Sequence, residues 1–244
     1  MCRHVVYLGA PARLSALLLE PPHGLLHQSW APQDMRGGGT INADGFGVGW
    51  YTDVGPVRYR RGSPIWSDNG FAELARATYA GAVLAAVRSA TVGMPVNEAA
   101  CAPFAAGGWL FSHNGLVPGW PDSVAKLAEQ LPVVDLLTLD ASTDSAFLCA
   151  LIRHRMRGGV PPASALHQVA AEVGAAAPGS RLNLLLTDGH QAYATTAGHS
   201  LWTHRTPEAL VIASEPFDDR PGWEPVSDRA LVIADRSTLT VEEL

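Results

Sequence analysis

The second residue is where a chemical role can first be assigned. The chain begins Met1-Cys2-Arg3-His4, and an apolar run typical of a β-strand follows. Methionine in front of a small residue is normally removable, and its removal would place a thiol and a free α-amine on one residue. An α-amine titrates at about 7.7–8.0, so it can accept a proton near neutral pH without a histidine. A terminal amine activates its own residue's nucleophile in some hydrolases. The N-terminus therefore favours nucleophilic catalysis by Cys2, the alternative being a small residue at a variable position.

An arginine stands at the end of a predicted buried strand, in the segment Ala86-Val87-Arg88-Ser89-Ala90-Thr91. A guanidinium group is planar and binds a carboxylate through two parallel hydrogen bonds. Arg88 is therefore a candidate for binding a carboxylate group. The alternative is a surface arginine at a sheet edge.

The segment Phe111-Ser112-His113-Asn114-Gly115-Leu116 predicts a strand that runs into a turn, because Asn-Gly is ordinarily a turn signal. The same two residues could form an oxyanion hole from the Asn114 side-chain amide and the Gly115 backbone N–H. Losing one such donor costs about 2.7–4 kcal/mol of transition-state stabilisation. The residues alone leave the turn and the oxyanion hole open.

An acidic residue stands at a predicted helix start, in Ser142-Thr143-Asp144-Ser145. A carboxylate in the first helical turn is favoured by the helix dipole, which is a sufficient structural explanation. The functional alternative is that Asp144 binds an ammonium group. The glycine-rich stretch from Asn42 to Tyr51 fits neither a P-loop nor a dinucleotide-binding motif, so it predicts a strand packed closely against another backbone.

The elements that must position these residues form an ordered series of strands, helices and strands again. This order predicts an α+β fold with two sheets and helices packed on them. The predicted strands before the helical block are His4–Leu8, Gly45–Tyr51, Val57–Arg61, Ala82–Val87 and Trp109–Ser112. The predicted helices are Phe71–Tyr79 with a cap at Asp68 or Asn69, Asp122–Leu131, Asp144–Arg157 capped by Thr143, and Pro162–Val173. The segments Leu182–Thr187, Gln191–Thr196, Leu201–His204, Leu210–Ala213 and Arg229–Ala234 then predict a strand meander.

Composition excludes several classes of partner. The net charge of −6 and the lack of a basic stripe argue against nucleic acid, and no apolar run approaches the roughly 18 residues of a membrane span. Three distant cysteines, Cys2, Cys101 and Cys149, argue against a disulfide framework and for the cytoplasm. The nine histidines show no ligand spacing, so we expect no metal and no cofactor. A small-molecule substrate and one domain over residues 2–244 are expected; nothing in the sequence indicates an oligomeric state.

Taken in order, the motifs resemble one family. An N-terminal Cys, D-G-F-G-x-G-W, V-R-x-x-T, H-N-G and T-D-S are similar to the class II glutamine amidotransferase domain, which belongs to the N-terminal-nucleophile hydrolases. The matching motifs extend from Cys2 to Ser145, and the rest of the chain agrees only in its strand-rich character. The resemblance implies a four-layer αββα sandwich that hydrolyses a γ-glutamyl amide.

The resemblance also implies a role for each candidate residue. Cys2 would be the nucleophile and its α-amine the base, with Asn114 and Gly115 as the oxyanion hole. The substrate-binding residues would be Arg88 for the α-carboxylate assisted by Thr91, Asp144 for the α-ammonium, and His113 in a structural or supporting part.

The opening M-C-R, D-G-F-G-V-G-W-Y and the late Ala213-Ser214-Glu215-Pro216 are similar to short, stand-alone members of the family. The chain ends where the hydrolase domain of the family ends, so we expect an activity that needs no attached acceptor domain. The leading expectation is a hydrolase of a small sulfur-containing γ-glutamyl conjugate with a trimethylammonium group, which aromatic faces bind. Trp30 is the aromatic residue that we expect to contact the trimethylammonium group. Three alternatives stay open: a glutaminase subunit that delivers ammonia to a partner synthase, a hydrolase of glutathione-type peptides, and an inactive domain that binds proteins or senses γ-glutamyl compounds.

Overall fold

The computed structural model describes residues 2–36 and 41–244. The predicted removal of Met1 lies outside these residues. The strands are β1 (Arg3–Arg13), β2 (Phe46–Thr52), β3 (Gly55–Arg61), β4 (Tyr79–Val87), β5 (Phe104–Ala106), β6 (Trp109–Leu116), β7 (Arg181–Thr187), β8 (Gln191–Thr196), β9 (Trp202–Arg205), β10 (Ala209–Ala213), β11 (Trp223–Pro225), β12 (Ala230–Asp235) and β13 (Leu239–Glu243). The helices are α1 (Leu14–Leu18), α2 (Leu25–Gln28), α3 (Asn69–Ala77), α4 (Ala125–Ala128), α5 (Val133–Leu137), α6 (Asp144–Arg157) and α7 (Pro162–Ala176).

The strands of the described chain form two antiparallel sheets. Sheet A has seven strands in the order β11-β9-β10-β1-β4-β2-β3, and sheet B has six in the order β13-β12-β8-β7-β6-β5. The N-terminal strand β1 is central in sheet A, where it pairs with β10 on one side and β4 on the other. The start of β1 therefore lies beside the ends of β10 and β4.

Three apolar cores lie between the layers of the described chain. One packs α1 and α3 against sheet A and contains Val5 and Phe71. The second fills the space between the sheets and contains Leu84 and Leu185. The third packs α6 and α7 against sheet B and contains Phe147. The predicted four-layer αββα sandwich is thus confirmed.

The helices agree with the sequence where a cap and an apolar face coincide. Helix α6 has the predicted bounds, and Thr143 caps it by accepting a hydrogen bond from the Ala146 backbone N–H at 3.2 Å. Asp68 likewise caps α3, which ends at Ala77 instead of the predicted Tyr79 because Tyr79 already belongs to β4. No helix in the described part of the chain is long and apolar enough to cross a bilayer.

One predicted helix and the predicted strand meander are wrong. The helix expected over Asp122–Leu131 is a 3₁₀ turn at Asp122–Val124 followed by the four-residue α4. Val124 and Leu131 are buried in the core beside α6 and α7, so the apolar spacing is present. The four-residue α4 between them has no fully buried residue, and a helix this short is not stable by itself. The strands after α7 do not form one meander, because β7, β8, β12 and β13 belong to sheet B whereas β9 to β11 belong to sheet A.

Candidate active site

The nucleophile candidate directly precedes β1, at the end of the space between the sheets that His4 enters. Side chains alternate along a strand, and Val6 lies in the core between the sheets whereas Val5 faces the helices. The same alternation turns His4 toward sheet B, where its Nδ1 atom lies 3.2 Å from Ser112 Oγ on β6. Cys2, two residues before His4, is half-buried, with its Sγ atom 3.8 Å from the Ser89 carbonyl oxygen.

Cys2 lines a cavity with about 290 Å³ of unfilled space. The cavity brings Cys2 together with two other predicted site residues, Arg88 and His113. Asn114, Gly115, Asp144, Thr91 and Trp30 are not among its described lining residues. The remaining walls are Phe46, Ala86, Val87, Ala100, Cys101, Ala102, Phe104 and Ser145.

Arg88 directly follows β4 and is oriented by backbone groups. Its Nη1 atom donates to the carbonyl oxygens of Pro95 at 2.9 Å and Asp44 at 3.5 Å. Its own backbone is bonded to Gly45 and Asp44 at the start of β2. Across the described residues, no carboxylate forms an ion pair with Arg88, so its guanidinium is available to a carboxylate entering the cavity.

Asn114 and Gly115 do not form the turn that the sequence predicts. Strand β6 continues to Leu116, and Asn114 and Gly115 pair with Asn183 and Leu182 of β7. A Cβ atom on Gly115 would lie 1.8 Å from the Arg181 carbonyl oxygen, so the glycine allows a close approach of two backbones. Asn114 is fully buried, and its Nδ2 atom donates to Ser214 Oγ at 3.4 Å.

The Asn114 amide therefore reaches across the space between the sheets. Ser214 directly follows β10, and its backbone N–H donates to the carbonyl oxygen of His4 on β1. Asn114 thus contacts sheet A next to the strand that carries Cys2. This placement is compatible with donation to an oxyanion formed at Cys2.

His113 faces the opposite side of β6, toward helix α6. Its Nε2 atom lies 2.9 Å from the Arg181 carbonyl oxygen, and its Nδ1 atom lies 3.0 Å from Ser145 Oγ. Because a carbonyl oxygen can only accept, Nε2 carries a proton. The Ser145 hydroxyl beside Nδ1 also lies 3.3 Å from Asp144 Oδ1, to which it can donate. Both ring nitrogens are therefore used within the protein, which suits a supporting residue better than a base for Cys2.

Asp144 opens helix α6 and is buried at the end of β6. Its Oδ2 atom accepts from the Val117 backbone N–H at 3.1 Å, and its Oδ1 atom accepts from the Ser145 backbone N–H at 2.7 Å. An ionised carboxylate can accept about four hydrogen bonds, so these contacts leave capacity for an ammonium group. Thr91, in contrast, is exposed in a turn in which its carbonyl oxygen accepts from Met94.

A buried ion pair beside Cys2 has no counterpart among the predicted site residues. Arg3 and Glu215 are both buried, with Nε and Oε2 4.0 Å apart. The Glu215 carboxylate accepts from the backbone N–H groups of Gln33 at 3.1 Å and Asp34 at 2.8 Å, and Arg3 donates to the Asp34 carbonyl oxygen. Burial lowers the pKa of Arg3, and the Glu215 charge opposes that shift. The pair thus fixes the segment after Trp30 next to the nucleophile. Each charge stands beside an apolar strand, which is unusual for a charged residue, but the sequence does not indicate that the two residues meet.

Trp30 lies at the surface of this segment, with 42% of its area exposed. Its ring meets the Trp66 ring edge to face at 5.8 Å and the His27 ring at 5.7 Å. The two indoles form a half-exposed aromatic pair, called here the Trp30–Trp66 pair. Such rings can bind an organic cation on their faces.

Two histidines near the site are buried and neutral. Desolvation lowers the pKa of His4 to about 3 and that of His199 to about 4. His199 pairs with no acid in the described chain, and the Arg181 and Arg3 charges add to the shift. Among the described residues, no three His, Cys, Asp or Glu side chains are grouped so that they could bind a metal ion.

Comparison with known proteins identifies the family of the chain. Residues 14–219 match the family model for class II glutamine amidotransferases. The chain is 46% identical to the γ-glutamyl-hercynylcysteine sulfoxide hydrolase of Mycolicibacterium smegmatis over 233 residues, which cover 95% of each protein. It is 41% identical to the hydrolase of the same name from Mycobacterium tuberculosis, covering 100% of this chain and 97% of that one. A class II glutamine aminotransferase domain protein from Silicibacter pomeroyi has the same fold, with a TM-score of 0.67 at 24% identity and 99% coverage of both chains.

Proposed function

The chain belongs to the class II glutamine amidotransferases, and we propose that it hydrolyses γ-glutamyl-hercynylcysteine sulfoxide to glutamate and hercynylcysteine sulfoxide, a step of ergothioneine biosynthesis. The observation that carries the proposal is the position of Cys2. It directly precedes β1 and lines a cavity together with Arg88. Full-length similarity to two hydrolases of that substrate supports the choice among γ-glutamyl compounds.

The proposed reaction begins at the processed N-terminus. The α-amine of Cys2 takes the thiol proton, and the sulfur attacks the γ-carbonyl carbon to form a C–S bond. The Asn114 amide and the Gly115 backbone N–H donate to the oxygen that becomes negative. The C–N bond then breaks, and the leaving amine takes the proton back from the α-ammonium. Water hydrolyses the thioester in the same way, with the α-amine as base, and releases glutamate and the free thiol.

The glutamyl part of the substrate carries one carboxylate and one ammonium, and the site offers one cation and one anion. Arg88 would bind the α-carboxylate, since no carboxylate of the described residues occupies its guanidinium. Asp144 would accept from the α-ammonium with the lone pairs left by Val117 and Ser145. Thr91 would assist through its hydroxyl at the exposed end of the Arg88 segment. His113 would hold Ser145 in place.

The leaving side of the substrate carries a trimethylammonium group, for which the Trp30–Trp66 pair is the proposed contact. A cation over an indole face is worth about 0.5–1 kcal/mol at an exposed site. Such a contact predicts a moderate preference for the cationic conjugate, additional to recognition of the glutamyl group. Of the two tryptophans, Trp30 is close in sequence to Asp34. The Asp34 backbone is bonded to Arg3 and Glu215 beside Cys2.

A substrate panel tests the proposal. Glutamate release would be measured from γ-glutamyl-hercynylcysteine sulfoxide, glutamine and glutathione, with the wild-type protein and Trp30→Leu. The expected result is the highest kcat/KM for the hercynylcysteine conjugate, and a smaller preference for it in Trp30→Leu. A higher kcat/KM for glutamine, rising when a partner protein is added, would replace the proposal with an ammonia-delivering glutaminase. Release from none of the three would contradict it.

A further inference from the structure

The motif Ala213-Ser214-Glu215-Pro216 contains a buried hydroxyl that the proposed reaction does not use. Ser214 follows β10 and is fully buried at the boundary between the two sheets. Its Oγ atom accepts from the His4 backbone N–H at 3.0 Å and lies 3.3 Å from the His4 carbonyl oxygen, to which it donates. Ser214 Oγ also accepts a hydrogen bond from Asn114 Nδ2 at 3.4 Å. One hydroxyl therefore joins the strand that carries the nucleophile to the strand that carries the oxyanion donor.

The orientation of the Asn114 amide depends on this contact. A side-chain amide has a donor end and an acceptor end, and only the donor end can stabilise an oxyanion. Within the described chain, Asn114 Oδ1 is buried and has no hydrogen-bond partner, so Ser214 is the group that distinguishes the two ends. Because the Ser214 proton is directed at the His4 carbonyl oxygen, its Oγ atom presents lone pairs to Asn114 and selects the nitrogen.

We propose that Ser214 is a positioning residue of the oxyanion hole: it holds the Asn114 amide nitrogen toward sheet A, and one N–H of that amide remains for the substrate carbonyl oxygen. This inference rests on the proposed function, because it gives Ser214 a part in the same reaction. Without the Ser214 oxygen, the amide can rotate and place Oδ1 against the developing negative charge. The lost hydrogen bond destabilises the transition state, where the oxyanion exists, and has little effect on the bound substrate.

A double-mutant cycle tests this role. The variants Ser214→Ala, Asn114→Ala and the double variant would be compared by kcat and KM for glutamate release from the best substrate of the wild-type protein. We expect Ser214→Ala alone to lower kcat by about tenfold to a hundredfold with little change in KM. In the Asn114→Ala background, Ser214→Ala should lower kcat no further, since the amide it orients is already gone.

Ser200→Ala is the matched control. The Ser200 hydroxyl donates to the Ser214 carbonyl oxygen at 2.7 Å, so this variant removes a buried hydrogen bond to the same residue without touching Asn114. Its kcat should stay close to that of the wild type. Ser214→Cys, which keeps the volume and offers only a weak sulfur acceptor, enters the same cycle and decides the question if Ser214→Ala shows no cooperative melting.

Two results would overturn the inference. One is that Ser214→Ala lowers kcat by the same factor in the wild-type background and in the Asn114→Ala background. Ser214→Cys takes the place of Ser214→Ala in this comparison where that variant does not fold. The other is a rise in KM at unchanged kcat. If the wild-type protein releases no glutamate from any γ-glutamyl compound, the proposed function itself fails. If the wild-type protein is active and the double-mutant cycle is additive, only the role of Ser214 is refuted.

Discussion

At the scale of single residues, the cysteines illustrate how environment separates a candidate nucleophile from core residues of the same type. Burial raises the pKa of Cys101 to about 11 and that of Cys149 to about 12, so both thiols stay protonated near neutral pH. Cys2 is the half-buried one and would carry its own base after processing. A reactive cysteine needs access and a means of losing its proton, and Cys2 is the residue of the three that combines them.

Cys2→Ala is expected to abolish glutamate release while substrate binding remains measurable by calorimetry. The reason is that the sulfur forms the covalent intermediate, whereas Arg88 and Asp144 would hold the glutamyl group. Cys149→Ala, which removes a buried thiol in α6, serves as the control and should keep its turnover. Full turnover of Cys2→Ala would exclude covalent catalysis at this residue.

Arg88→Met should raise KM for the γ-glutamyl substrate strongly and change the melting temperature little. The guanidinium contacts two backbone carbonyl oxygens at the surface of the cavity, so its charge contributes more to binding than to folding. Arg76→Met on the exposed side of α3 is the matched control, with KM expected to stay constant. A large fall in the melting temperature of Arg88→Met would instead make Arg88 a structural residue.

At the scale of elements, the close approach of β6 and β7 positions the oxyanion candidates. Gly115→Ala would bring its Cβ atom against the Arg181 carbonyl oxygen, and overpacking of this kind costs about 1–3 kcal/mol. For a chain of this size each kcal/mol lowers the melting temperature by about 2–4 °C. Differential scanning calorimetry would measure the shift.

Gly174→Ala is the matched control for Gly115→Ala. Gly174 lies in α7 with open space where its Cβ atom would be, so alanine should be neutral or stabilising by up to about 1 kcal/mol. Equal melting temperatures for the two variants would show that the backbones of β6 and β7 separate easily.

The elements also explain what could be predicted from the sequence. Helix α6 was predicted with its bounds because a cap residue, Thr143, precedes a periodic apolar face. Asn114-Gly115 predicts a turn because the local signal is strong, but pairing with β7 overrides this signal. The pair Arg3–Glu215 joins residues near opposite ends of the chain, and no local pattern indicates such a contact. The ordered motifs predict the proposed roles of Cys2, Arg88 and Asp144, whereas the proposed role of Ser214 depends on its distances to His4 and Asn114.

At the scale of the whole molecule, two buried histidines couple stability to pH. In the unfolded chain a histidine takes up a proton near its ordinary pKa of 6.5, whereas the folded pKa is lowered to about 3 for His4 and about 4 for His199. Between the folded and unfolded pKa values the unfolded state binds more protons than the folded state. The contribution of these histidines to the free energy of unfolding is therefore fully present above pH 6.5 and decreases as the pH falls toward 3. Each histidine contributes a slope approaching about 1.4 kcal/mol per pH unit.

Urea unfolding from pH 7 to pH 4.5 would measure this dependence. His199→Leu should flatten the decrease toward acid pH, since one of the two proton-linked groups is removed. His190→Gln, which changes an exposed histidine, should leave the slope as it is in the wild type. Parallel curves for the wild type and His199→Leu would contradict the assignment of His199.

The removal of Met1 is a condition of the proposed activity, because only a free N-terminal Cys2 can attack the γ-glutamyl amide with its own α-amine as the base. Intact-mass spectrometry and glutamate release from γ-glutamyl-hercynylcysteine sulfoxide, measured on the same purified sample, test that condition directly. The expected result is a mass that corresponds to residues 2–244 and turnover in proportion to the processed fraction. A fully active sample that retains Met1 would contradict the claim, because its Cys2 nitrogen would be an amide and could not act as the base.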